Sequence, residues 1–577
     1  MAYGNPAATV GMEPESPLRS QRVRRGRSSE PERSGSGGCS VSFHSPKSAV
    51  WPQLASRFLN TRAMNDALIT AAKAAFPTDM PGITLGAVTH DGAIDPQPLI
   101  RLPLSMMTRH GLIAGATGTG KTKTLQLMAE QLSAQGVPVF LADVKGDVAG
   151  IAMAGQPHPK IDERARATGY NWQGSSFPVE LLSLTGATGG QLRATVSSFG
   201  PLLMSKVLGL NETQSSVLAL VFKYCDDKGL LLLDLSDLRE VLQYLTGDGA
   251  SELKEYGGMS KATVGVLLRN IIGLEGQGAD KFFGEPEFDL DDLFSVERDG
   301  RGLISVLALS DVQDKPALFS TFMLWMLAEL YATLPEVGDV AKPKLVFFFD
   351  EAHLLFDDAS ESMRDEIEKV TRLIRSKGVG VFYITQHPRD IPETVLGQLG
   401  NRVQHALRAY TPDDEKQLRT TARTIPKTEF YDIEATLTSL ATGEALVSTL
   451  TAKGTPTLPF ACHMVPPSSR MGPLTPEEIA PRLQTPQAKK YATAIDRESA
   501  REVLEKKHAA ATQAAAETAT AEAEAKPTKA AAAKTAREEE GALGSFMRSP
   551  VARSIAVTIA GTLTRTLLGA LTGKRRR

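Results

Sequence analysis

The residues best placed to do chemistry are the run Gly115, Ala116, Thr117, Gly118, Thr119, Gly120, Lys121 and Thr122. Its spacing is G-x-x-x-x-G-K-[ST], in which the glycines let backbone N–H groups turn inward around phosphate oxygens. Lys121 then reaches the β- and γ-oxygens and the Thr122 hydroxyl ligates Mg2+. The helix expected to open at Lys121, Thr122 and Lys123 turns its positive end on the same phosphates. A second run, LVFFFDE at 345–351, brings two acids to the tip of an apolar segment. In open parallel sheets, ligands sit at the carboxyl ends of strands. Asp350 is therefore expected to hold Mg2+, and Glu351 to orient and deprotonate the water that attacks a γ-phosphate. Adjacent acids in those two roles favour ATP hydrolysis over passive nucleotide binding. A third run, 379–386, ends in Thr385 and Gln386, whose amide is placed to touch the γ-phosphate or that water. The TGATGG run at 185–190 has the glycines without the lysine and reads as a loop.

Those groups need a sheet to bring them to one edge. Buried strands are expected at 111–116, 137–143, 304–309, 345–350 and 379–386, with a helix from Lys121 to about Ala134 closed by Gly136. Apolar runs of that length alternating with helices imply an α/β fold, a mostly parallel sheet covered on both faces. The stretch 151–300 is helical in texture, with capping boxes expected at Asn211 with Gln214 and at Asp237 with Glu240, and reads as a helical insertion. Pro316–Leu334 carries one charge, Glu329. Hydropathy alone would make it a membrane span. A crossing there would put the phosphate loop and the Asp350 strand on opposite sides of a bilayer, so it is expected to be a buried helix.

The ends differ from the body. Residues 1–63 read as a disordered basic extension rich in Ser, Gly, Pro and Arg, with Met64 as a candidate natural start and 64–110 as a short element leading into the core. The core is assigned to 111–150 and 301–467. Eight prolines between Pro456 and Pro486, then fourteen alanines within 509–534, mark 468–548 as a linker. Residues 549–577 read as a basic amphipathic helix. The net charge is -2, yet residues 541–577 hold seven bases and no acids, and residues 1–50 hold seven bases and four acids. An acidic body with basic ends excludes a histone-like, base-coated DNA binder. Three scattered cysteines argue against a disulfide framework or a zinc site, and a cytoplasmic protein is expected.

RHGLIAGATGTGKTKTLQ, LADVKGD, FFFDEAHLLF and FYITQHPRDIP together resemble the HerA branch of the FtsK–HerA superfamily, nearest to its bacterial YjgR-type group, across about residues 82–467. The resemblance implies a RecA-like P-loop NTPase core and a homo-hexameric motor using ATP and Mg2+. It implies Lys121, Glu351 and Gln386 as catalytic groups. Arg109, and as a second candidate Arg375, would be the arginine inserted into the neighbouring subunit's site. Asp143 and Lys145 would line the site or pore, and Lys369, Arg372 and Lys377 are pore candidates that equally suit an exposed helix. The archaeal N-terminal β-barrel has no counterpart of its size here, which puts barrel-mediated docking in doubt. The implied function is translocation or unwinding of DNA through a central pore. The alternatives are a secretion or conjugation motor docking at a membrane through the C-terminal segment, and a regulatory ATPase that binds a protein partner through the helical insertion or the tail.

Overall fold

The computed structural model describes residues 66–520 apart from Asp358 and Ala519. The expected N-terminal extension, the Met64 start, the distal linker and the C-terminal helix lie outside the described residues. Twelve strands form one sheet: β1 Gly82–His90, β2 Ala93–Pro103, β3 Gly111–Ala114, β4 Val139–Asp143, β5 Val179–Ser183, β6 Gly190–Gln191, β7 Ile304–Ala308, β8 Leu345–Phe349, β9 Val379–Thr385, β10 Asn401–His405, β11 Glu444–Ser448 and β12 Phe460–Met464. Their order is β2-β1-β12-β11-β10-β3-β9-β8-β4-β7-β5-β6. From β10 to β6 every pairing is parallel. From β2 to β10 every pairing is antiparallel.

The period-2 alternation of the central strands splits the interior in two. On β8, Leu345, Phe347 and Phe349 enter one core, while Val346 and Phe348 enter the other. The first core is roofed by the helix Pro316–Thr333, whose Phe322 and Trp325 pack against Phe282 and Phe199. Burial of such side chains stabilises by roughly 1.5–3 kcal/mol each, which accounts for the apolar composition of this helix. Among the described residues no helix is long and apolar enough to cross a bilayer. The second core is covered by the helix Lys121–Ala134 and by helix 66–75.

Three expectations change. Residues 151–300 are not purely helical, because β5 and β6 extend the parallel sheet. The box at Asn211 and Gln214 forms as expected, but the next helix, Leu235–Thr246, is capped by Asp234 with Asp237 rather than by Asp237 with Glu240. The Asp237 carboxylate accepts from the N–H groups of Leu233 and Asp234 (2.8 and 3.0 Å), so it closes a turn rather than opening one. The proximal part of the expected linker packs on the core. Tyr491, Ala500 and Leu504 are buried within it, and Ser468 and Ser469 bind Glu130. Pro476 and Pro486 there start short helices, the position where a missing N–H costs nothing.

Candidate active site

Strand β3 ends between β10 and β9, and the chain turns there into the phosphate loop. Gly115 N–H donates to the Thr385 carbonyl at the end of β9 (3.3 Å), and Ala116 N–H to that of Ala406 beyond β10 (2.9 Å). A Cβ on Gly115 would stand 2.5 Å from His405 Cβ, so only glycine lets the loop cross β10. Gly118 and Gly120 take φ of 76° and 116°, the left-handed region that closes the loop into its helix. Below the loop, the His405 ring bridges the Thr124 hydroxyl (2.9 Å) and the Glu444 carbonyl (2.8 Å). Burial lowers its pKa to about 4, so it supports the loop as a neutral ring.

Lys121 is buried, and its Nζ donates to the carbonyls of Gly115 (2.7 Å) and Ala116 (3.3 Å). Burial lowers its pKa, against the opposing pull of Glu351. Thr122 and Lys123 follow, half-buried. From the tip of β8, Asp350 is buried; its Oδ1 accepts from Glu351 N–H (3.1 Å), while Oδ2 has no hydrogen-bond partner. Burial, then the Glu351 charge, pushes its carboxyl up to about 7. Mg2+ takes one or two carboxylates plus substrate phosphates and water. The orphaned Asp350 oxygen and the Thr122 hydroxyl are a donor set that fits it. Among the described residues no group of three or more His, Cys, Asp or Glu forms a metal cage.

Glu351 holds φ of 47°, a conformation unusual for a side-chain-bearing residue and typical of functional sites. Lys145 Nζ donates to its Oε1, and His353 Nδ1 lies 3.5 Å from Oε2. Burial raises the Glu351 pKa, but the Lys145 hydrogen bond and charge outweigh it and hold the group below the usual carboxylate range. The two neighbouring acids are thus driven in opposite directions. Gln386 Oε1 accepts from the Thr117 hydroxyl (3.3 Å). Because β9 lies between β3 and β8, the phosphate loop, Gln386 and the acid pair share one edge of the sheet.

Asp143 and Lys145 divide their labour. The Asp143 carboxylate accepts from the N–H groups of Gly146 (2.8 Å), Asp147 (3.3 Å) and Val148 (3.0 Å), shaping the loop that carries Lys145 to Glu351. Arg109 and Arg375 stand elsewhere. They precede β3 and β9, at the edge opposite the phosphate loop, and share Asp339 (3.2 and 3.0 Å). Lys377 is buried against the Leu334 carbonyl (2.7 Å), and Lys369 pairs with Glu366 (3.0 Å).

Sequence reasoning missed the other side of the loop. Gly443 N–H donates to the Thr119 carbonyl (2.9 Å). Arg164, on the helix Pro159–Thr168, donates to the carbonyls of Gly443 (2.9 Å), Met464 (3.1 Å) and Thr442 (3.1 Å). These residues are some 280–300 positions apart in the chain, and no local motif signals them.

The family described as helicase HerA-like C-terminal matches residues 90–577. This chain belongs to that family. It is 23% identical over 359 residues to the DNA double-strand break repair helicase HerA of Sulfurisphaera tokodaii, covering 60% of this chain and 64% of that protein. It is 28% identical over 165 residues to a probable helicase of Methanocaldococcus jannaschii, covering 27% of this chain and 29% of that one. The HerA-like chain thus spans less than two thirds of these relatives. Among solved structures, the plasmid coupling protein TrwB in complex with ADP and Mg2+ is 15% identical with a TM-score of 0.46, covering 70% of this chain and 93% of that one. VirB4 of Thermoanaerobacter pseudethanolicus is 16% identical with a TM-score of 0.41, covering 70% and 99%.

Proposed function

We propose that this HerA-like chain hydrolyses ATP at the phosphate loop and uses the reaction to move DNA through a ring of six copies. The observation that carries the reading is the convergence of Lys121, Asp350, Glu351 and Gln386 at one sheet edge, with Glu351 held ionised by Lys145. An ionised, buried carboxylate can accept a proton from a water aimed at the γ-phosphate. Lys121 spreads the developing charge, and Gln386 orients the water or reads the γ-phosphate. Asp350 and Thr122 would hold an Mg2+ arriving with ATP, which would offset the charge of the phosphates.

Arg109 and Arg375 cannot serve their own loop. Strand β9 is seven residues long, so the two edges are roughly 20 Å apart at about 3.3 Å per residue. In this reading they serve a neighbouring copy's phosphates, which makes hydrolysis a property of the assembly. Asp339, largely exposed, parks both guanidinium groups at little cost.

DNA as the moved substrate is supported by family membership and by relatives named as DNA repair helicases. A net charge of -2 is compatible, since a ring needs positive charge only where the strand passes. The test is phosphate release from ATP with and without duplex DNA. The expected result is several-fold stimulation; an identical rate would remove DNA from the reading and leave an ATPase acting on another partner.

A further inference from the structure

One cation on the charged flank of the phosphate loop is only half engaged. Lys145 stands two residues beyond β4, and β4 pairs with β8 as far as Ala142 and Phe349. It therefore meets Glu351 from the side away from Gln386, which follows β9. The γ-phosphate belongs between those two approaches.

The backbone under Lys145 is fixed. Asp143 accepts from the N–H groups of Gly146, Asp147 and Val148, and the Gln313 amide donates to the Val144 carbonyl. The side chain is freer. It is 45% exposed, against 7% for Glu351, so the ammonium reaches a buried carboxylate from open space. An ammonium has three N–H donors. One goes to Glu351 Oε1, and among the described residues no second acceptor engages Lys145. The charges that act on it are acidic: Glu351, Asp350 and Asp147. Lys121 feels the charges of both Glu351 and Lys145, which puts the two lysines around one small volume at the strand tips. A terminal phosphate entering that volume faces three carboxylates, and Lys145 is the cation with donors to spare.

We infer that Lys145 is a ligand of the γ-phosphate: with one N–H on Glu351 Oε1, it gives a second to a γ-oxygen and so ties the base to the phosphate under attack. The inference rests on the hydrolytic reading of this site and adds the group that tells ATP from ADP. A diphosphate ends one group short of Lys145 and leaves that donor to water. A hydrogen bond between two charged groups is about twice as strong as a neutral one, so the contact favours the triphosphate.

Removing Lys145 alone would also bare the Glu351 charge beside the phosphate, so the test is made where that charge is gone. The full chain carrying Glu351→Gln is titrated with Mg2+–ATP and Mg2+–ADP, with and without Lys145→Met. Adding Lys145→Met is expected to weaken ATP roughly tenfold or more and to leave ADP within about threefold. The retained ADP binding also shows that the doubly substituted chain folds. Lys145→Arg in the same background keeps the charge and is expected to keep more of the ATP preference than Lys145→Met does. The inference is overturned if ATP and ADP affinities fall together, since Lys145 then only shapes its loop. It is overturned too if neither falls, since Lys145 then acts only through the charge of Glu351, or if Lys145→Arg is no better than Lys145→Met. A wild type that hydrolyses ATP while the variants fail these comparisons sinks the inference alone; one that neither binds nor hydrolyses ATP sinks the proposed function with it.

Discussion

On the β8–β9 flank of the phosphate loop the walls are charged: Asp350, Glu351 and Lys145 meet within a few residues of strand ends. On the β11–β12 flank, around a cavity beside the loop, they are largely apolar, with Arg164 consumed in holding backbone and His463 paired with Glu444. Burial acts on both and produces opposite results. On the first it leaves two carboxylate oxygens without hydrogen-bond partners, Asp350 Oδ2 and Glu351 Oε2, and holds Glu351 ionised, so free energy is stored in unpaired polar groups that a phosphate and a cation can relieve. On the second it leaves satisfied polar groups and a hydrocarbon surface, which can bind but has nothing with which to react. The two flanks should therefore separate turnover, with its γ-phosphate contacts, from affinity for the nucleotide as a whole.

The largest effect should come from outside both. Arg109→Ala is expected to lower kcat about 10³-fold or more, with ATP affinity within a few-fold, read by phosphate release against nucleotide titration. Turnover should also rise steeply with protein concentration in the wild type. Normal turnover in the variant would remove Arg109 and leave Arg375 as the arginine to test.

A smaller effect is expected on the apolar flank. Arg164→Met strips three carbonyls of a charged donor, a loss of about 1.5–3 kcal/mol before water replaces part of it. The loop's hold on Gly443 should loosen, raising KM for ATP about tenfold with kcat nearly unchanged. A fall in kcat at constant KM would break the division between the flanks.

The smallest concerns the segment that walls the cavity. Burial raises Glu130 to about 7, although Ser468 and Ser469 donate to it. A free glutamate titrates near 4.3, so the unfolded chain loses this proton first. Glu130's contribution to stability is full below that value and is lost as pH rises through about 7. In thermal denaturation between pH 5 and pH 8, Glu130→Gln should lack a decline of about 1–3 kcal/mol that the wild type shows. Parallel pH profiles would show that Glu130 does not titrate in that range.

The same contrast governs what could be read in advance. The charged flank was legible because each of its groups sits at the tip of a strand whose apolar run declares itself, as LVFFF does before Asp350. The parallel strands β3, β4, β7, β8 and β9, the phosphate-loop helix and the buried helix Pro316–Thr333 followed from the same runs, whereas β5 and β6 did not. The antiparallel strands were not legible: β10 is NRVQH, polar in composition yet largely buried, and β2 carries three prolines. Their identity comes from partners far along the chain. So does the cavity, assembled from the phosphate-loop helix, the helix Pro159–Thr168 and the segment after β12. Lys145 falls between the cases, since its strand was visible but its pairing with Glu351 depends on β4 lying next to β8.

We propose that Glu351, held ionised beside Asp350, is the base for the attacking water. This claim is tested most directly by single-turnover hydrolysis of Mg2+–ATP in Glu351→Gln, with nucleotide binding measured on the same protein. Hydrolysis at least 10²-fold slower with ATP binding within a few-fold of the wild type is the predicted result. Hydrolysis at the wild-type rate would contradict it.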